Sequence, residues 1–235
     1  MSATTKKSKE FYALFIKEKA QLPYIAYKLQ SDFNLTNDQL RQIFQLPHSV
    51  TLESYVKAFQ YKVLNSILYT NTNLHKMGFR TNDLCSFCKR QSESLNHLFS
   101  HCPYSKQFWN DLEIYWCSVS SKRIHLYLQN VLIGIIAVNG DPLHLLRNYF
   151  IMIGKVCLWN CKYNQIPPNI HGFRAKIAAK YETEKIICTV LCTIMQKETL
   201  TALETLCVQL ISQVWWVRAT LKAAGRPGKT YFLLR

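Results

Sequence analysis

The spacing Cys85-x2-Cys88-x8-His97-x4-Cys102 constrains this chain more than any other feature. It asks a short stretch to bring three thiols and one imidazole to a single point. A turn at Ser86 and Phe87 would converge the first two sulfurs, which a tetrahedral metal ion requires of a C-x-x-C pair. Ser92 or Ser94 is placed to cap a helix running through Leu95, His97, Leu98 and Phe99, and Cys102 precedes Pro103, which disfavours helical geometry in the residue before it. His97 and Cys102 are five residues apart, about 140° around an ideal helix, so they cannot share a regular helical face. The spacing therefore predicts that Cys102 lies at or beyond the last turn, where the backbone unwinds. His101 competes with it, because His97 and His101 at i and i+4 share a face and would complete a C-x2-C-x8-H-x3-H site. Cys102 is preferred, since a thiolate bonds zinc more covalently and adds charge that offsets the ion. The competing reading is a few buried core thiols. Four ligand-type residues at metal spacing within 18 positions favour one structural zinc ion.

The same residues carry a family resemblance. The run FQYKVLNSILYTNTNLHKMGF from Phe59, then LCSFC, SESLNHLFSHCP and the Phe108-Trp109 pair, resembles the zinc-binding domain that follows the reverse transcriptase of LINE-type (non-LTR) retrotransposons. The segment Ile153 to Lys185 looks like the helical continuation of that region, and the resemblance spans about Ser8 to Lys197. It implies that Cys85, Cys88, His97 and Cys102 are the metal ligands. It also implies a role in gripping template RNA or target DNA beside a polymerase, the rest of a retroelement reverse transcriptase being the expected partner. The chain would then be a fragment or remnant of a larger retroelement protein.

Composition is consistent with that role. Twenty-nine Lys and Arg against 14 Asp and Glu give a formal charge of +15, a field that attracts polyanions and drives salt-sensitive binding to RNA or DNA. At 49% hydrophobic residues the chain can build a packed core. Nine cysteines, six of them outside the candidate site and mostly in apolar helical patterns, fit a reducing compartment. The N-terminal MSATTKKSKE lacks a signal-peptide core, and apolar runs such as Val131 to Val138 fall short of the roughly 18 residues that span a bilayer. An intracellular protein, nuclear or cytoplasmic and not associated with a membrane, is expected. No Asp-Asp pair or other polymerase carboxylate motif is present, so two-metal phosphoryl transfer is not expected of this chain and no catalysis is predicted. A thiol enzyme using the C-x-x-C is disfavoured because its usual βαβ setting is missing.

The periodicities predict a mostly α-helical fold organised around a small CCHC zinc hairpin, with no large sheet. Four segments are expected: an N-terminal helical segment over 1–50, the zinc-binding domain over 51–117, a C-terminal helical segment over 118–198, and a divergent helix with a basic tail over 199–235. Lys6, Lys7 and Lys9 form a basic arm ahead of a short helix carrying Phe11, Leu14 and Phe15. Pro23 starts a helix with Ile25, Tyr27 and Leu29; Thr36 and Gln39 form a capping box for another, which Pro47 is expected to end. Val56, Phe59, Val63 and Ile67 make a core stripe on a helix capped by Thr51 or Ser54, and Gly78 reads as a helix C-cap. Phe108, Leu112 and Tyr115 or Trp116 mark an apolar edge on the helix opened by Pro103, and Ser118 to Arg123 reads as a linker. Leu126 to Val138 is a buried helix or two short strands. Asn139 to Pro142 makes a turn into a helix with a stripe of Leu145, Tyr149, Met152, Val156, Trp159 and Tyr163, and Asn169 caps the next, with Phe173, Ile177 and Tyr181 inward.

Lys57, Tyr61, Lys62, Lys76 and Arg80 combine aromatic and basic side chains just before the zinc loop and are the first candidate nucleic-acid surface. Arg174, Lys176 and Lys180, with Arg147, Lys155 and Lys162, are the second. Both sets have an alternative reading as ordinary solvated faces. The alternative to nucleic-acid binding as a whole is a domesticated protein-interaction module that keeps the zinc fold.

Overall fold

The computed structural model describes residues 23–136 and 143–180. The predicted basic arm and first helix, the Asn139–Pro142 turn, Tyr181 and the divergent tail lie outside the described residues. The chain divides into two compact units, Met1–Leu40 and Arg41–Arg235.

In the first unit, Pro23 precedes helix α1 (Tyr24–Phe33), whose buried residues are Ala26 and Leu29. Tyr27 on the same helix is exposed. Asn34 ends the helix in the left-handed region, φ 50°, which asparagine tolerates better than branched residues. Helix α2 (Asn37–Val50) opens on the predicted capping box: Gln39 N–H donates to Thr36 Oγ1 at 3.2 Å, and Thr36 N–H donates to Gln39 Oε1 at 2.9 Å.

The second unit holds the rest. Pro47 does not end α2, contrary to expectation; it sits inside the helix. Its ring forfeits one N–H, but Pro47 is itself buried, and Leu46 and Val50 at 8% and 0% exposure anchor the final turn in the core. Helix α3 (Ser54–Leu64) buries Val56, Phe59 and Val63 as predicted, whereas Ile67 falls beyond the helix and is half exposed. The chain turns away at Ser66, where φ is 55°. Helix α4 (Asn71–Lys76) is capped by Thr70 and closes on Gly78 at φ 77°. Phe79 N–H bonds Leu74 O and Gly78 N–H bonds His75 O, the paired bonds of a Schellman ending.

Helix α5 (Pro103–Ser120) starts on Pro103 and buries Phe108, Leu112, Tyr115 and Trp116. It continues into the expected linker as far as Ser120, with Val119 and Ser120 buried and the Ser118 and Ser120 hydroxyls bonding back to Tyr115 O and Trp116 O. Helix α6 (Leu128–Ile133) makes the middle of the ambiguous apolar run helical, and residues 134–136 after it are in no helix. Gly134 follows at φ 89°, and an added Cβ there would lie 2.6 Å from Leu46 and 2.7 Å from Asn148. Helix α7 (His144–Tyr163) is buried all round from Leu146 to Leu158 except at half-buried Arg147, and is not striped; Tyr163, predicted inward, is exposed. Residues 170–180 form helix α8, capped by Asn169 Oδ1 accepting Gly172 N–H at 2.8 Å.

The core is aromatic. Phe173 of α8 packs edge-on against Phe108 (5.9 Å), Tyr115 (6.3 Å) and Phe150 (5.6 Å), joining α5, α7 and α8. Among the described residues there is no strand, only one antiparallel bridge, Leu84 with Ser92. No described helix is long and apolar enough to cross a membrane. The expected helical fold around a small Cys/His hairpin is what the structure shows.

Candidate metal centre and adjoining cleft

The hairpin that carries Cys85 and Cys88 is closed by Cys85 N–H to Gln91 O (2.8 Å) and Glu93 N–H to Asp83 O (2.7 Å). Lys89 N–H returns to Cys85 O at 3.0 Å, and Lys89 adopts φ 55°, so the C-x-x-C curls back on itself. Phe87 N–H points at Cys85 Sγ, 3.4 Å away.

His97 and Cys102 arrive on a different element. Ser94 Oγ accepts His97 N–H at 3.1 Å, and the following turn, His97–His101, is a π-helix closed by Cys102 N–H to His97 O at 2.8 Å. The wider i to i+5 turn cancels most of the angle that separates these residues on an ordinary helix, so both side chains face the hairpin. Cys102 itself is extended, φ −61° and ψ 134°, as its place before Pro103 requires. Widening the turn frees carbonyls, and α5 supplies their donors: Ser105 Oγ–H bonds Leu98 O and the Trp109 indole N–H bonds Phe99 O, both at 2.6 Å. The Trp109 ring reaches this position because α7 has glycine beneath it; a Cβ on Gly154 would lie 2.7 Å from the ring.

The ligand atoms of Cys85, Cys88, His97 and Cys102 all lie within 4.8 Å of one another. Cys85 Sγ is 3.8 Å from Cys102 Sγ, and Cys88 Sγ is 3.4 Å from His97 Nε2. A tetrahedral zinc site with ordinary bond lengths has S–S edges of about 3.8 Å and S–N edges of about 3.6 Å. The donor set and its spacing therefore fit zinc. His101 is exposed and outside the cluster. As thiols, Cys85 and Cys102 share a proton: the bond to Cys102, then burial, pushes Cys85 up, while that same bond holds Cys102 down. Burial, then the neighbouring His101, lowers His97, keeping its ring neutral and able to donate a lone pair.

A buried polar knot fixes the hairpin to the helices. The fully buried Glu93 carboxylate accepts Asn71 N–H at 2.9 Å and Ser86 N–H at 2.6 Å, and pairs with Lys162 Nζ at 3.2 Å. Asn71 Nδ2 donates to Leu84 O at 2.6 Å, and Lys162 also donates to Tyr69 O and Asn71 Oδ1, both at 3.3 Å. Sequence reasoning missed Glu93 altogether and placed Lys162 on a solvent-facing surface. Lys155 is likewise corrected: it is wholly buried, donating to Gln60 Oε1 and to Leu132 O at 3.2 Å, and desolvation lowers it from 10.5 to about 7. The lone lysine in the apolar run FIMIGKVCLW was the available signal.

Against the hairpin lies a cleft of about 700 Å³. Ser86 and Lys89 of the Cys85–Cys88 hairpin form one side; Lys62 and Arg80, from the first candidate surface, line it too. Lys57, Tyr61 and Lys76 lie outside its lining. His75 donates its Nδ1–H to Arg80 O at 2.9 Å, steadying the loop that carries Arg80. In the second candidate set, Lys180 pairs with Glu53, Lys176 is half-buried and its pKa lowered, first by desolvation, and exposed Arg174 lies over the Tyr115 ring, 5.2 Å from its centre.

Comparison with family models bears on the segment that builds this centre. Residues 7–109 match the family described as zinc-binding in reverse transcriptase. The match covers all four clustered residues and ends at Trp109; the resemblance expected for Ile153 to Lys185 lies beyond it. Neither the curated proteins nor the solved structures give a match.

Proposed function

We propose that this chain is the zinc-stabilised, nucleic-acid-binding accessory module of a LINE-type retrotransposon reverse transcriptase, acting inside the cell to grip template RNA or target DNA without catalysis of its own. The observation that carries the reading is a closed Cys3His cluster built by a segment matching the reverse transcriptase zinc-binding family. One zinc ion held by Cys85, Cys88, His97 and Cys102 would have a filled coordination sphere, with no position left for a reacting water, so its contribution is to folding. The +15 charge supplies long-range attraction to a phosphate backbone. Reading the chain instead as a domesticated protein-interaction module is favoured by one observation: Lys155, Lys162 and Lys180 are engaged within the protein and offer no phosphate contacts.

Fluorescence anisotropy of the zinc-loaded chain with RNA and DNA across a salt series separates the two. The nucleic-acid reading expects binding near physiological salt, a steep log–log salt slope, and loss on neutralising Lys57, Lys62, Lys76 and Arg80 together. No binding even at low salt overturns it.

A further inference from the structure

We propose that the cleft beside the zinc hairpin is a subsite for unpaired nucleotides of a single strand, which it holds by stacking bases on exposed tyrosines while cations at its margin contact the phosphates. The inference rests on the nucleic-acid reading above and specifies where the strand lies and in what form.

The cleft's volume, about 700 Å³, lies in the range of sites that enclose organic ligands. Three of its tyrosines present ring surface to solvent: Tyr55, Tyr69 and Tyr163 are 51%, 64% and 83% exposed. An isolated exposed tyrosine is ordinary, but three around one concavity make a platform. The floor of the cleft is a packed aromatic cluster around buried Phe59. Tyr55 stacks on Phe59 at 6.4 Å, Phe59 meets Trp159 at 6.1 Å, and Phe59 is held edge-on against Phe99 of the π-turn at 6.3 Å.

The charges are sorted in the same way. Lys162 lies 5.0 Å over the Trp159 ring, and its charge is answered from behind by Glu93. Lys62, Arg80 and Lys89 are exposed, and among the described residues no carboxylate lines the cleft. Aromatic faces carry negative quadrupole, so they favour the flat, weakly polar face of a base and not a carboxylate. An acidic peptide would satisfy the cations and waste the rings; a nucleotide strand uses both. Bases in a duplex have their faces covered by their neighbours, so the platform selects unpaired ones. Because Ser86 and Lys89 belong to the zinc loop, the metal centre shapes one wall of the subsite.

The test uses the full zinc-loaded chain, a labelled oligouridylate of about a dozen nucleotides, and a blunt RNA duplex of the same length. Tyr69→Ala with Tyr163→Ala removes two exposed rings; Lys62→Gln with Arg80→Gln and Lys89→Gln removes the marginal charge. Unchanged circular dichroism and zinc content qualify each variant. The ring variant should weaken single-strand binding about ten- to a hundredfold, leaving duplex binding and the salt slope unchanged. The charge variant should weaken both and flatten the slope. Equal binding of strand and duplex by the wild-type chain, or a ring variant that still binds the oligouridylate normally, overturns the subsite while leaving nucleic-acid binding standing. No binding of either probe overturns both. A glutamate-rich peptide bound in a ring-dependent way, with oligouridylate binding unaffected, assigns the cleft to an acidic protein and overturns the inference. Adenosine monophosphate displacing the strand at equal concentration overturns the strand as its occupant.

Discussion

Glu93→Gln tests whether the buried knot, and not the metal alone, positions the hairpin. The carboxylate is fully buried and does three things at once: it accepts backbone N–H groups from Asn71 and Ser86 and neutralises Lys162. An amide of the same shape keeps one acceptor oxygen and turns an NH2 toward the other donors. One charge-assisted bond is lost, worth about 1.5–3 kcal/mol. Lys162, at 9% exposure, is left with two neutral carbonyl oxygens, and stranding a buried charge costs about 3–5 kcal/mol when no other partner moves in. These terms overlap, so a loss of about 3 kcal/mol is expected. Lys162→Met alone should cost less, since Glu93 retains both N–H donors, and the double variant should recover about 1–3 kcal/mol relative to the sum of the singles. The assay is urea unfolding of the zinc-loaded chain, followed by circular dichroism and tryptophan emission, whose coincidence checks that one transition is read. Chelator competition should show zinc affinity falling about ten- to a hundredfold, because Glu93 orients the Ser86 amide between two ligands. A cost below about 1 kcal/mol with no coupling to Lys162 would refute the reasoning.

The remaining predictions concern the metal, the glycine and the buried lysine. Native mass spectrometry should find one zinc per chain, lost with the hairpin's fold in Cys85→Ser and in Cys102→Ser but kept in His101→Ala; zinc retained in Cys102→Ser would return His101 as the ligand. Gly154→Ala should destabilise by about 1–3 kcal/mol by pushing the Trp109 ring off its seat, and an unchanged urea midpoint would show that the ring yields freely. Lys155 has a folded-state pKa depressed to about 7 from 10.5. Between those values the unfolded chain carries a proton that the folded chain lacks, so this group makes stability rise with pH across that window, by at most about 1.4 kcal/mol per unit, and its burial costs most below pH 7. Urea midpoints at pH 7, 8 and 9 should rise less steeply in Lys155→Met than in the wild type; parallel slopes would refute the assignment.

What the sequence disclosed follows from the range of each interaction. Local features were legible: the Thr36 and Gln39 box, the Gly78 ending and the Asn169 cap are decided within a few residues. So was the conflict at the metal centre, since five residues cannot fit one helical face, though not its resolution as a π-turn. That resolution depends on Ser105 and Trp109 answering the freed carbonyls, and on Gly154, which is 45 residues further along than Trp109. The periodic reading erred where tertiary burial overrode pattern. Helix α7 is enclosed on every side except near its ends, so its apparent stripe carried no information about direction and its lysines were placed in solvent. Pro47 misled for a related reason, its cost being local while the burial that offsets it is not.

The metal centre and the cleft are mechanically one object. The π-turn that returns Cys102 to the hairpin also sets Phe99 against Phe59, and Phe59 floors the cleft. The hairpin closed by Cys85 and Cys88 carries Ser86 and Lys89 into the cleft's wall, while Glu93 and Lys162 lock that hairpin to the helix bearing Trp159. Loss of a zinc ion held by this cluster should therefore release the wall and loosen the floor together. By linkage, a strand that binds only the assembled cleft must raise the apparent affinity for zinc by the same factor by which zinc raises affinity for the strand. Chelator competition with and without oligouridylate measures that factor directly. A value of one would mean that strand and metal occupy independent parts of the protein, and the shared wall would then be a coincidence of packing.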